Sequence, residues 1–403
     1  MVGTNTDTFS EALLRTYDTA HVEQLEQLNC DVWSKVSEAS DKTFGGDSMR
    51  FAVRVAGNES VRFGTENGQL PTAGAETLLQ ASVTPVPLFA TARWSNMVAA
   101  KSANPKLAFV RAAADAIEYA HKRACAYLDG AFFRDGTGLL ALVNESSPSG
   151  ATLTVDNGNL QWFRPGMSVE FFSSGSLVAG PVEVTDVDII NSTITTATDV
   201  SASLTNNDSI YKAGTHAPTS VTNAEILGVQ AALGTTGTYL GISRDTYRVF
   251  QGQVINAGGA DIDEDRIFQL EERIITQAGE GDLGALTPVA NPAQFRKLFK
   301  LINSRRQFSG ASADAKAKVT WDGKELLYSY NCPRDHFLLL DFGDIQKFTL
   351  PGGEMQLDNT GGSAVKWVNN YDASFAYWKM YSQLAFRAPN AQGRIHNLAV
   401  PSA

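Results

Sequence analysis

The stretch NPKLAFVRAAADAIEYAHKRACAYLDGAFFRDGTG, residues 104–138, decides how the rest of the chain is placed. Asn104 is a capping residue, and Pro105 falls at the first helical position, where its missing N–H leaves no bond unmade. Leu107, Val110, Ala114, Ile117, Ala124 and Leu128 follow near helical spacing, which predicts one long helix. Gly130 is the expected stop. About 25 residues at roughly 1.5 Å each make a rod of nearly 40 Å, and its alanines let other elements approach closely. Gly136-Thr137-Gly138-Leu139-Leu140-Ala141 matches a dinucleotide-binding spacing. It follows a helix instead of joining a strand to one, so a tight turn is the better account.

Upstream, residues from about Ser10 to Val36 predict a helix, with Leu14, Tyr17, Leu25, Leu28 and Val32 on one face. Then the period changes. Phe51, Val53 and Val55 alternate with Ala52, Arg54 and Ala56, as in a half-buried strand. Gly64, Gly68, Pro71 and Gly74 punctuate a long turn, and Leu78 to Leu88 runs back. This two-stranded arm has too few large apolar residues for a core of its own. A bare hairpin is marginal in water, so the arm is expected to lie on another subunit, with Arg62 near its tip as a candidate contact.

Downstream, Gly150 to Gly214 is rich in Val, Ile and Thr, with short strands such as Ser168–Phe172 and Pro181–Thr185. Seven acidic residues against two basic ones give it net −5, half the charge of the whole chain. A small inserted all-β module is expected. Mixed patterning then returns. Asn223 can cap a helix through Leu233, and Tyr247 to Phe250 looks like a strand. Asp261 to Ala278 is an amphipathic helix carrying Ile267, Leu270 and Ile274. Asn291-Pro292 repeats the cap-plus-proline device, Phe337 to Leu340 is a buried strand, and Phe375 to Leu384 closes a sheet.

The totals narrow the function. A chain of 403 residues, 43% apolar and 19% charged, is an ordered globular protein long enough for two or three domains. Net charge −10 argues against a protein that grips phosphate backbones. Cys30, Cys125 and Cys332 are odd in number and far apart, which suggests free thiols in a reducing compartment. No signal peptide and no membrane span is expected. Asp261, Asp263, Asp265 and Glu272 fall at calcium-loop positions, but Arg266 stands where the loop needs glycine. The five histidines show no zinc spacing, and no nucleophile elbow or phosphate-cradling loop is present. No catalytic residue, cofactor or metal site is expected.

This order of elements resembles the tailed-bacteriophage major capsid family, whose coat fold is shared with encapsulins. The helix running into Ala131-Phe132-Phe133-Arg134-Asp135-Gly136-Thr137-Gly138 and the insertion carrying Phe163-Arg164-Pro165-Gly166-Met167-Ser168-Val169 are in the style of phage coats. The resemblance implies an α+β major capsid fold. Its expected parts are an N-terminal arm (1–42), an E-loop (43–94), a peripheral domain with the spine helix (95–149), the inserted β domain (150–214), and the axial domain with the rest of the peripheral one (215–403). It further implies a structural protein of the virion capsid, assembled in a host bacterial cytoplasm. Pentamers and hexamers would form a shell around double-stranded DNA, without sequence-specific binding and without a membrane. A portal and a decoration protein are further expected partners. No long charged helical prodomain precedes the arm, which favours a separate scaffolding protein. No lysine lies between Lys42 and Lys101, so the E-loop has no amine for the isopeptide cross-link some members make. An encapsulin-type nanocompartment shell is the alternative. Within a capsomer, a basic stretch that includes Arg305 and Arg306 is expected to face a neighbour's acidic one, with Asp263 and Glu264.

Overall fold

The computed structural model describes residues 31–39, 48–66, 68–102, 112–156, 158–216, 224–278, 285–305, 320–321, 323–360 and 362–400. A short strand β1 (Ser37–Glu38) leads to the arm strands β2 (Met49–Ala56) and β3 (Thr77–Val83). Then come β4 (Val86–Ser95), α1 (Asn96–Ser102) and the long α2 (Ala112–Phe133). Six strands follow: β5 (Leu139–Leu142), β6 (Thr152–Thr154), β7 (Ser168–Ser173), β8 (Ser176–Asp188), β9 (Thr193–Thr196) and β10 (Ser209–Lys212). The chain continues through α3 (Val229–Ala232), β11 (Thr238–Tyr239), β12 (Ile242–Ser243), β13 (Gln253–Asn256), α4 (Glu264–Ala278), β14 (Leu286–Ala290) and α5 (Pro292–Arg305). It ends with β15 (Thr320–Trp321), β16 (Lys324–Glu325), β17 (Leu327–Tyr328), β18 (Phe337–Asp341), β19 (Ile345–Thr349), β20 (Gln356–Leu357), β21 (Lys366–Trp367), β22 (Ala373–Phe386) and β23 (Gly393–His396).

The contacts divide the chain into two units. One holds residues 89–126 and 355–379. Here the first half of β22 pairs with β20 and β21, in registers Leu357↔Trp378 and Lys366↔Phe375, and β4 joins the same sheet. Trp378 fixes this sheet to α2 by donating its indole N–H to the Ile117 carbonyl at 3.0 Å. The Asp358 carboxylate, 1% exposed, takes both Lys366 and Lys379.

The other unit holds residues 31–88, 127–354 and 380–400; besides the β11-β12 and β15-β16 pairs and the β1-β19-β22 pairing it carries three further β assemblies. The first is the six-stranded antiparallel sheet β5-β10-β7-β8-β9-β6. Its two outer strands meet: Val143 bridges Val155, the Asn144 N–H donates to Thr154 at 2.9 Å, and the Asp156 N–H donates to Leu142 at 3.1 Å. The sheet thus closes into a small barrel without a free edge. Leu140, Leu153, Val169, Phe171, Val184, Ile194 and Ile210 fill its interior. The second is the mixed sheet β13-β23-β18-β14-β17. Ile267, Leu270 and Ile274 of α4 pack on one face of it against Ile255, Phe337, Leu339 and Ile395, with Leu298 of α5. Asn291 caps α5, its Oδ1 accepting the Ala293 N–H at 3.0 Å. The third is the two-stranded arm, β2 with β3.

Four local expectations are corrected. The rod does not stop at Gly130; α2 runs on to Phe133, because Ala131, Phe132 and Phe133 are all buried. Its start at Asn104-Pro105 lies outside the described residues, as does the helix expected from Ser10 as far as residue 30. The end of that helix is instead a short 3-10 turn, Trp33–Lys35. The Val32 and Trp33 N–H groups go to the Asp129 carboxylate, at 3.0 and 2.9 Å, and not to helical carbonyls. The helix expected from Asn223 is confined to the four residues of α3. Ala224 and Glu225 donate their N–H groups to the Gly136 carbonyl at 3.1 Å, and the Leu227 N–H donates to Gln383 Oε1 at 2.7 Å. Gly228 is seated on the end of α2, where an added Cβ would lie 2.3 Å from the Phe132 carbonyl oxygen. Tyr247 to Phe250 is a 3-10 turn burying Phe250, and the strand begins at Gln253.

Candidate assembly surfaces

The arm is anchored at its base and bare at its tip. Strand pairing runs from Met49↔Val83 to Ala56↔Thr77, and Phe51 stacks on Phe348 at 6.2 Å. Ala81 and Val83 are fully buried, and the Ser82 N–H reaches the Leu240 carbonyl at 2.9 Å. Beyond Ala56 the backbone is shaped by its own turn bonds: Asn58 Oδ1 accepts the N–H groups of Ser60 and Gly74, both at 3.0 Å. Arg62 is exposed and donates to the Gln69 carbonyl at 2.5 Å, which draws the two sides of the tip together. Val61 (90% exposed), Phe63 (106%) and Leu70 (84%) are left facing outward. Three large apolar side chains exposed on one arm make its tip the candidate interaction surface.

The charged patches are partly spent inside the chain. Lys297 of α5 pairs with Asp261 just before α4 and also donates to the Ala399 carbonyl at 2.7 Å. Trp321 donates its indole N–H to Glu271 at 2.6 Å, and Lys324 donates to the Leu286 carbonyl at 2.6 Å. Asp263 is exposed at the head of α4, its Oδ1 accepting the Glu264 N–H at 2.8 Å; Glu264 is half-buried. Carboxylates there also complement the helix dipole. Arg305 ends α5, but its side chain and Arg306 lie outside the described residues.

The end of α2 carries a buried polar network that no sequence pattern signalled. Arg134, 2% exposed, forks onto Glu225 at 2.8 and 3.0 Å, and its guanidinium lies over the rings of Tyr127 and Trp162. Tyr127 hydrogen-bonds Glu225 as well; burial, and then that carboxylate, hold its phenol far above the ordinary range. Asp129, 1% exposed, accepts from Val32, Trp33 and Asn331. Burial pushes its carboxyl up, against those hydrogen bonds. Such groups are fully partnered and position backbone.

Cys332 is fully buried, and burial pushes its thiol well up, so it is inert. Among the described residues no group of three or more His, Cys, Asp or Glu side chains could hold a metal ion, and no helix is long and apolar enough to cross a membrane. A cavity of about 240 Å³ lies near the base of the arm, lined by Glu38, Met49, Lys347, Phe348, Leu350 and Glu354. It is smaller than ordinary small-molecule sites, which start near 300 Å³.

No family model and no curated protein sequence matches the chain. Solved structures do. The capsid asymmetric unit of cyanophage A-1(L) superposes with a TM-score of 0.58 at 13% identity, covering 98% of this chain and 100% of that one. The capsid of a native GTA particle gives 0.53 at 10% identity, over 99% and 100%. A chain from Microbacterium phage Oxtober96 gives 0.52 at 10% identity, over 96% and 93%. Identities this low speak to architecture alone, and they do so over nearly the whole length: the chain has the coat fold of phage capsid proteins.

Proposed function

We propose that this chain is a major capsid protein that self-assembles into the icosahedral shell of a tailed phage, around its double-stranded DNA. The observation that carries the proposal is the arm: a coat-fold subunit presents Val61, Phe63 and Leu70 on a hairpin that has no core of its own. Burying each such side chain on a neighbour contributes about 1.5–3 kcal/mol, and a closed shell repeats that gain at every interface. Pentamers and hexamers follow from heterologous contacts that close into rings. Its role is structural and its place is the virion capsid. A separate scaffolding protein, a portal and a decoration protein complete the particle.

Charge is proposed to set register within a ring. Lys297 is already committed to Asp261 of its own subunit. Asp263 and Glu264 are the acids proposed to meet Arg305 and Arg306 of a neighbour. Each exposed pair is worth only about 0–1 kcal/mol, so its part is alignment more than affinity. The arm, having no lysine between Lys42 and Lys101, forms no isopeptide cross-link, and boiled particles should run as single chains.

Electron microscopy of the purified protein tests the proposal. Closed shells or tubes of repeated capsomers are expected; dispersed monomers at all concentrations would overturn it. Nuclease-protected DNA inside particles from infected cells identifies the genome as cargo. Particles filled with a single co-purifying enzyme would identify an encapsulin-type compartment instead.

A further inference from the structure

Helix α4 buries one face and displays another. Ile267, Leu270 and Ile274 point into the core beneath it. On the outer side Asp265, Phe268, Glu272 and Ile275 follow at spacings of three, four and three, all exposed. That spacing sets them on one stripe about 15 Å long. Phe268 is 58% exposed and Ile275 42%. Phe268 is flanked by Trp321, ring centroids 5.1 Å apart, and Trp321 is held there by Glu271. The arginines of α4 are turned back onto their own subunit: Arg266 donates to the Asp261 carbonyl at 2.5 Å and Arg273 to the Val254 carbonyl at 2.7 Å. The stripe is therefore apolar and acidic.

Helix α5 carries the complement. Arg296 and Lys300, four residues apart and both exposed, share one face of it. Beside them Phe295 and Phe299 stack at 6.4 Å, and Tyr328, 60% exposed, leans on Phe295 at 5.6 Å. Lys297, between them in sequence, is already paired with Asp261. Two cations thus stand next to an aromatic ledge, opposite in charge to the α4 stripe and like it in apolar content.

We infer that the outer stripe of α4 docks against the α5 face of a second copy of this chain, with Phe268 and Ile275 entering beside Tyr328 while Asp265 and Glu272 meet Arg296 and Lys300. The occupant is a second copy because the chain itself carries the complementary face. Each copy gives its α4 and receives on its α5, so the contact is heterologous and repeats around a ring. The inference rests on the shell reading above and deepens it. Apolar burial at the centre of the contact supplies affinity, and the flanking charges fix its register.

Sedimentation and electron microscopy of particles formed by the full-length protein test the face, with the melting temperature of each dispersed variant confirming that the subunit is folded. Phe268→Ser, Glu272→Lys and Lys300→Glu should each lower particle yield by about tenfold or more, as truncations and charge clashes at the centre of an interface do. Glu272→Lys combined with Lys300→Glu puts opposite charges back at every contact and should bring the yield to within about threefold of the wild type. Single variants that assemble as the wild type does, or a double variant no better than either single, would overturn the proposal while wild-type shells leave the shell reading standing. Dispersed wild-type monomers would overturn that reading, and the docking face with it.

Discussion

The barrel and the arm are both β-structure in the same unit of the chain, yet they solve the edge problem in opposite ways. The barrel spends six strands, joins its outer pair at Val143 and Val155, and buries Leu153, Phe171 and Ile194 completely. The arm spends two strands and leaves Val61, Phe63 and Leu70 in solvent. A closed sheet satisfies its own hydrogen bonds and its own apolar side chains, so it is stable without a neighbour. A two-stranded sheet does neither, so its tip has a free-energy minimum only against another surface. The barrel's contacts are internal to the subunit, and the arm is the surface proposed to carry assembly.

That division is broken most easily at the charges that seat the barrel. Trp162, in the turn between β6 and β7, lies under Arg134 and donates to the Asn331 carbonyl at 3.0 Å. Glu225→Ala leaves Arg134 buried without its counter-charge and should cost about 3–5 kcal/mol in a chemical denaturation series. A change below the error of the fit would refute the claim that the pair is structural. Next in size is Ile194→Ala inside the barrel, expected to cost about 2–5 kcal/mol as a cavity opens. The arm should behave in the reverse manner. Phe63→Ser, on a fully exposed side chain, should shift subunit stability by less than about 0.5 kcal/mol, while particle yield collapses in a sedimentation assay. Normal shells from Phe63→Ser would put the assembly surface elsewhere.

The smallest effect concerns the seam where residues 331–336 meet the barrel's 156–162 segment. Partial burial, and then Arg394 and His336, hold His396 below the ordinary imidazole value. The folded protein therefore takes up this proton less readily than the unfolded chain. Stability falls as pH drops below the unfolded value of about 6.5 and continues to fall until the lower folded value is passed. Melting temperatures between about pH 7 and 5.5 should decline less steeply in His396→Gln than in the wild type. Equal slopes would remove His396 from the pH dependence.

What could be read in advance was what repeats locally. Alternation at Phe51, Val53 and Val55 marked β2; Ile267, Leu270 and Ile274 marked the buried face of α4; Asn291-Pro292 marked the start of α5. The arm was legible because its turn glycines and its lack of large apolar residues are both local properties. What escaped depends on partners far along the chain. Asp129 lies nearly a hundred residues from the amides of Val32 and Trp33, and it overrides a helical pattern there. Glu225 meets Arg134 across 91 residues, and residues 224–228 are bend and loop, although Asn223 advertised a helix. Closure of the barrel at Val143 and Val155 joins strand ends whose spacing carries no signature.

Hydrogen exchange, followed by mass spectrometry on dispersed subunits and on assembled particles, tests the division of labour directly. Amides of the arm's tip, between β2 and β3, should exchange fast in the free subunit and become protected on assembly, while those of the barrel should be equally protected in both. A tip already protected in the free subunit, or unchanged by assembly, would contradict the account.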